Sequence, residues 1–121
     1  MFHLPESVKI FICYRPTDMR KSFTGLSILV QTMIEKDPLS GQLFVFFNKR
    51  RDRLKILWWH HGGFNVFYRC LQKGRFPNPD LFRSTSMTRN ITSIELAMIL
   101  EGIDLKQTRK RARWAPKNLN N

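Results

Sequence analysis

The sequence predicts an α+β domain, in which an antiparallel β-meander of three to five strands carries two packed helices and a basic C-terminal tail. Three runs rich in β-branched and aromatic residues, at 43–47, 54–59 and 64–71, predict the meander because such residues suit a pleated, half-buried surface. The joints between these runs are polar or contain glycine, as hairpin turns do. The 121 residues suffice for one core, so we predict a single domain over residues 1–104 and a flexible basic tail over 105–121.

Alternation of side chains along the runs assigns the two faces of the meander. One face is predicted to be wholly apolar and to carry Leu54, Ile56, Trp58, Phe64, Val66 and Tyr68. The other face is predicted to mix aromatic and cationic side chains: Trp59, Phe67, Lys55 and Arg69. This mixed face is thinly covered by another element or serves as a surface.

A short apolar run at residues 8–14 predicts a further strand, and a helical pattern follows it. Thr17 or Asp18 is expected to cap this helix, and Asp37-Pro38 to end it. Its buried stripe is predicted from spacings of three and four: Phe23, Leu26, Val30, Met33 and Ile34.

A second helix is predicted from a capping-box pattern, Thr92-x-x-Glu95, and runs to a stop at Gly102. Its apolar residues lie almost all round, so it is expected to be mostly buried. The Pro77-Asn78-Pro79 stretch before it has the composition of a linker.

The charge balance, 21 Lys and Arg against 9 Asp and Glu, indicates a polyanionic partner, and nucleic acid is favoured over an anionic membrane. Arg20 and Lys21 are expected in the first helical turn, where free N–H groups and two cations suit a phosphate. The alternative, given equal weight, is that both side chains extend into water or pair with Asp18. The predicted nucleic-acid-binding residues are Arg20, Lys21, Lys49, Arg50, Arg51, Arg53, Lys55, Arg109, Lys110, Arg111 and Arg113.

The composition argues against several other classes of protein. No apolar run approaches the roughly 20 residues of a membrane span, and the N-terminal residues do not resemble a secretory signal, so a cytoplasmic location is expected. Cys13 and Cys70 are expected to be reduced and buried. The carboxylates are scattered, and strand alternation would send the rings of His60 and His61 to opposite sides. We therefore expect no enzyme activity, no metal and no cofactor.

Five blocks of sequence resemble the TnpB accessory proteins of insertion-sequence family 66, in order and spacing from about Leu4 to Asp104. They are DMRK at 18–21, DPLSGQLFVF at 37–46, RLKILWW at 53–59, KGRF at 73–76 and LAMILEGID at 96–104. The resemblance implies a bacterial accessory protein, encoded beside a separate DDE-type transposase and needed for efficient transposition. The chain departs from the pattern at His60-His61, where that family usually has Asp and Gly nearby, and at Pro77-Asn78-Pro79, which replaces an expected Trp.

The sequence therefore predicts a non-catalytic protein that binds double-stranded DNA at element ends and works with the transposase, in an oligomeric state that the sequence leaves open. One alternative is a module that docks on the transposase through Trp58, Trp59 or Trp114 without DNA contact. Another is a single-stranded nucleic-acid binder that stacks bases on Trp59, Phe67 or Tyr68. Core packing is the commoner fate of such strand aromatics.

Overall fold

The computed structural model describes residues 7–78 and 88–101 and confirms the α+β class. Its strands are β1 (Ile10–Cys13), β2 (Leu43–Phe47), β3 (Arg53–His60), β4 (Gly63–Cys70) and β5 (Thr88–Ile91). Its helices are α1 (Phe23–Leu29), which continues as a π-helical segment (Val30–Ile34), and α2 (Ser93–Leu100). The predicted basic tail lies outside the described residues.

The five strands form one sheet in the order β4-β3-β2-β1-β5. The pairs β2·β3, β3·β4 and β1·β5 are antiparallel, whereas β1 runs parallel to β2. The expected antiparallel sheet is therefore wrong in this respect, because the sheet is mixed. A parallel pair needs a crossover between its strands, and α1 with its π-helical continuation lies in that connection.

A two-residue turn sets the register of the β3–β4 hairpin. His61 and Gly62 both have positive φ, 48° and 78°, as a type I′ turn requires. His60 consequently pairs with Gly63, which places Lys55 opposite Tyr68. The predicted wholly apolar face is wrong, because Phe64, Val66 and Tyr68 share their face with Lys55, Leu57 and Trp59.

Each face of the sheet carries one helix. Leu26 and Val30 pack with β-strand residues such as Phe44 on one face, whereas Leu96 and Ile99 of α2 pack on the other. Strands β1 and β2 are buried along their whole length. Coverage on both faces explains why these two strands read as continuous apolar runs rather than as alternating patterns.

Helix α1 begins later than the sequence suggested. Its N-cap is Ser22, which makes no side-chain capping hydrogen bond, so the predicted cap at Thr17 or Asp18 is wrong. The Asp18 carboxylate instead accepts the Arg20 N–H at 2.9 Å, closing a turn of its own before the helix. Phe23, predicted to be buried, is 50% exposed because it now occupies the first position of the helix.

The predicted capping box of α2 is confirmed. Thr92 Oγ1 accepts the Glu95 N–H at 3.1 Å, and Glu95 Oε1 accepts the Thr92 N–H at 3.0 Å. The expectation that this helix is mostly buried is wrong, since Leu96 and Ile99 face the sheet while Ile94 is 72% exposed.

Candidate nucleic-acid interface

Two loops at one end of the sheet enclose an open groove of about 430 Å³, here called the basic groove. Because β1 and β2 are parallel, the loop that follows β1 and the β2–β3 loop leave the sheet at the same end. The Thr17 N–H joins them by donating to the Phe47 carbonyl at 2.8 Å. The groove is lined by Thr17, Asp18, Met19, Arg20, Asn48, Lys49, Arg50, Asp52 and Arg53.

Asn48 organises the β2–β3 loop. Its Oδ1 accepts the N–H groups of Asp52 and Arg53, both at 3.1 Å, and its Nδ2 donates to Asp52 Oδ1 at 2.7 Å. The hydrogen bond from Asn48 is the main reason that the pKa of Asp52 lies below its usual value. The loop is thus held from within, and the exposed side chains of Lys49 and Arg50 project from a fixed backbone.

The opposite wall of the groove carries an ion pair between Asp18 and Arg20. Arg20 Nη2 lies 2.7 Å from Asp18 Oδ2, and Arg20 Nε lies 3.1 Å from both carboxylate oxygens. Of the alternatives that the sequence left open for Arg20, the structure shows the ion pair with Asp18. The Arg20 side chain remains 91% exposed, so the guanidinium is still open to a second anion.

Replacing Arg20 by Ala is expected to raise the pKa of Asp18. The Arg20 side chain is the largest cause that holds this pKa at about 2, below its ordinary 3.8, and the Arg20 N–H is the next. A lowered folded-state pKa stabilises the protein above the unfolded value, and that contribution disappears as the pH falls through about 2. An NMR titration of the Asp18 carboxyl measures the change.

Arg50→Ala is the control. It should leave the pKa of Asp52 nearly unchanged, because the hydrogen bond from Asn48 is the largest cause of that shift. An unchanged pKa of Asp18 in Arg20→Ala would contradict the assignment.

Three predicted contact residues do not line the groove: Arg51 lies in the β2–β3 loop, and Lys21 and Lys55 lie on the α1 side of the sheet. Lys55 Nζ donates to the Lys21 carbonyl at 2.8 Å and sits 4.8 Å from the Tyr68 ring centroid. Arg20 and Lys21 both precede α1, which begins at Phe23, so the prediction that they lie in its first turn is wrong. Arg109, Lys110, Arg111, Arg113 and Trp114 lie outside the described residues.

A second basic turn, not predicted as part of the site, joins the same end of the sheet. The Leu71 N–H donates to the Asp52 carbonyl at 2.8 Å, and the Phe76 N–H donates to the Arg51 carbonyl at 2.6 Å. Arg69, Lys73 and Arg75 are exposed beside this connection. Hairpin geometry is the signal that could have found them, because the end of β4 must lie beside the start of β3.

Two of the three tryptophans predicted as docking anchors, Trp58 and Trp59, are half-buried. Trp58 packs against the core on the α2 side, and Trp59 lies edge-on to Phe64 with ring centroids 5.0 Å apart. Trp59 and Phe67 are thus also less accessible for stacking than Tyr68, which is 46% exposed.

One cysteine and the two histidines depart from expectation. Cys13 is buried as predicted, and burial raises its pKa, whereas Cys70, predicted to be buried, is exposed because it ends the edge strand β4. The ring centroids of His60 and His61 lie 3.8 Å apart, so the two rings do not point to opposite faces of the sheet. The positive φ of His61 breaks the strand alternation. Over residues 7–78 and 88–101 there is no cluster of three His, Cys, Asp or Glu side chains that could hold a metal ion.

The fold and the site define a small, strongly basic α+β protein with a cationic groove at one end of a mixed sheet. More specifically, the chain belongs to the IS66 Orf2-like protein family, whose model matches residues 8–110. This is a family of transposition-associated accessory proteins. The membership confirms the resemblance seen in the sequence blocks.

Two relatives come from Sinorhizobium fredii (strain NBRC 101917 / NGR234), and both are uncharacterized. The protein y4hO is 32% identical over 111 residues, which is 92% of either chain. The protein y4jC is 27% identical over 106 residues, or 88% of either chain. No solved structure gives a significant match. Within the part of the chain that the structure describes, no helix is long and apolar enough to cross a membrane.

Proposed function

We propose that this chain is a non-catalytic accessory protein that acts with the transposase in the bacterial cytoplasm and binds DNA through the basic groove. The observation that carries the proposal is the convergence of Arg20, Lys49, Arg50 and Arg53 on one open groove, although Arg20 is distant in sequence from the other three. Cations from separate loops that meet at one surface suit a polyanion better than scattered surface charge does.

The charges within the groove favour a phosphate backbone as the ligand. Its two carboxylates already have partners, Arg20 for Asp18 and Asn48 for Asp52. The Arg20 and Arg50 side chains are 91% and 80% exposed, so both can reach a ligand without rearrangement of the core. Phosphate contacts supply affinity and orientation rather than sequence preference, and we assign no base-reading residue. The second basic turn and the predicted tail cations would extend the contact beyond the groove.

Two double variants that lose the same charge test this proposal. Lys49→Gln with Arg50→Gln removes two groove cations, and Lys9→Gln with Lys36→Gln removes two exposed cations that do not line the groove. Both doubles lower the formal charge equally. Fluorescence anisotropy with labelled element-end duplex across a salt series should show the slope of log affinity against log salt reduced by about 1.8 in the groove double, at 0.9 per phosphate contact.

The control pair should keep nearly the wild-type slope. Lys9 lies at the opposite end of the sheet, where its carbonyl accepts the Leu43 N–H, and the Lys36 ammonium lies 5.1 Å from the Phe11 ring centroid. Equal losses in the two doubles would show that only net charge matters and would overturn the groove assignment. Absence of duplex binding at low salt would overturn DNA binding itself.

A further inference from the structure

A strip of exposed apolar side chains runs along strand β4 on the α1 side of the sheet. Tyr68 is 46% exposed and Val66 is 38% exposed. At the far end of the strip Phe64 stacks on Phe23, which is 50% exposed, with ring centroids 5.7 Å apart. These side chains share one face because alternate strand residues point the same way. Strand β4 is also an edge strand, so the strip borders open space among the described residues.

Tyr68 is held between two cations. Arg53 Nη1 donates to the Tyr68 hydroxyl at 3.1 Å, and Lys55 Nζ lies 4.8 Å from the centre of its ring. Arg53 also lines the basic groove, which makes the strip and the groove adjacent parts of one surface. An exposed ring beside a phosphate-binding groove is the arrangement in which single-stranded nucleic acids are bound, with backbone contacts on one side and bases stacked on aromatic rings.

We propose that this strip binds unpaired nucleic-acid bases, with one base stacked on Tyr68 while Arg53 and Lys55 neutralise the adjoining phosphates. The inference rests on the proposed function, since the same groove supplies the backbone contact. Charge complementarity selects this occupant over a second copy of this basic chain, whose own Arg53 and Lys55 would face these same cations across a symmetric contact.

The length of the strip fits more than one nucleotide. Tyr68 and Phe64 are four residues apart on one strand, which spans about 13 Å at the usual rise. Val66 lies between them and keeps the surface apolar. Bases within a duplex are already stacked on each other, so only unpaired bases can use such a strip. The proposal therefore predicts that loss of the Tyr68 ring weakens single-stranded binding more than duplex binding, whereas contact through the groove alone predicts no such selective loss.

The experiment measures the affinities of the full chain for a labelled oligothymidylate and for a labelled duplex of equal length, by fluorescence anisotropy at one salt concentration. Tyr68→Thr removes the ring but keeps a residue well suited to a strand. We expect it to weaken oligothymidylate binding by roughly 5- to 100-fold, the range for loss of one stacked base, with duplex binding changed about twofold or less. Tyr68→Phe keeps the ring and should remain within about threefold of wild type on both ligands.

Ile94→Thr is the matched control, because it removes an exposed apolar side chain, 72% accessible, from helix α2 on the other face of the sheet. It should change neither affinity. Equal weakening of the binding of both ligands in Tyr68→Thr, or no weakening of either, would overturn the stacking site but not the proposal that the groove binds duplex DNA. Loss of self-association on sedimentation of DNA-free Tyr68→Thr would also overturn it, by assigning the strip to contact between copies. Failure of wild type to bind either ligand at low salt would overturn the groove as well.

Discussion

Phe76→Ala is expected to lower the free energy of unfolding by about 3–5 kcal/mol, the usual cost of removing a buried phenyl ring. The Phe76 side chain is 1% exposed and lies edge-on to Phe47, with ring centroids 6.0 Å apart. It belongs to the same core cluster as the buried residues of α2, and the cavity would open beside Phe47. Such a loss is a large part of the 5–15 kcal/mol that stabilises a typical domain. Equilibrium unfolding in denaturant measures it.

Phe23→Ala provides the control for that substitution, because it makes the same chemical change at a half-exposed ring. It loses the stacking contact with Phe64 and should cost about 1 kcal/mol. Equal losses of stability in the two variants would contradict the assignment of Phe76 to the core. The Phe76 amide, which donates to the Arg51 carbonyl, should also be strongly protected from hydrogen exchange in the wild type.

Features that depend on neighbours in sequence were predictable. The capping box at Thr92 and Glu95 uses two side chains three residues apart, and the structure forms both of its hydrogen bonds. The runs that became β2, β3 and β4 were recognised by composition, to within one residue at each end. The charged tip between β2 and β3 followed from the same reasoning, because cations in a short polar loop have no apolar area to bury.

Features that depend on pairing were not predictable from local pattern. The parallel contact of β1 with β2 is a tertiary choice, and β5 is a four-residue strand, Thr88–Ile91, too short to show a clear period. The two-residue turn at His61-Gly62 determines which side chains of the hairpin share a face. A turn longer by one residue would have reversed the matching of all side chains across it.

The site shows the same division. The sequence predicted a loop that carries Lys49, Arg50 and Arg53, and it proposed Arg20 separately. Only the parallel strand pair brings Arg20 beside that loop. Lys55 was chosen by charge alone, and the structure places its ammonium between the Lys21 carbonyl and the Tyr68 ring, outside the groove. Local sequence thus identifies the cations, and topology decides which of them lie on one surface.

Asn48→Ala should lower both the stability of the protein and its affinity for duplex DNA. The substitution removes the acceptor of the Asp52 and Arg53 N–H groups, which is expected to cost about 1–3 kcal/mol for two hydrogen bonds. It also removes the main cause of the low pKa of Asp52, so that pKa should rise toward 3.8. Asn65→Ala is the control, because among the described residues that amide makes one hydrogen bond, of 3.5 Å, to the Gly63 carbonyl.

The effect of Asn48→Ala on DNA binding distinguishes binding by cations held in fixed positions from binding by net charge alone. Asn48 carries no charge, so the net charge of the protein is unchanged and the long-range attraction to DNA persists. If the loop positions Lys49 and Arg50 for phosphates, loosening it adds an ordering cost on binding, and duplex affinity should fall by several-fold at constant salt. Anisotropy below the unfolding transition measures this fall. An affinity equal to that of Asn65→Ala would mean that the groove cations bind as a diffuse charge rather than as a preorganised site.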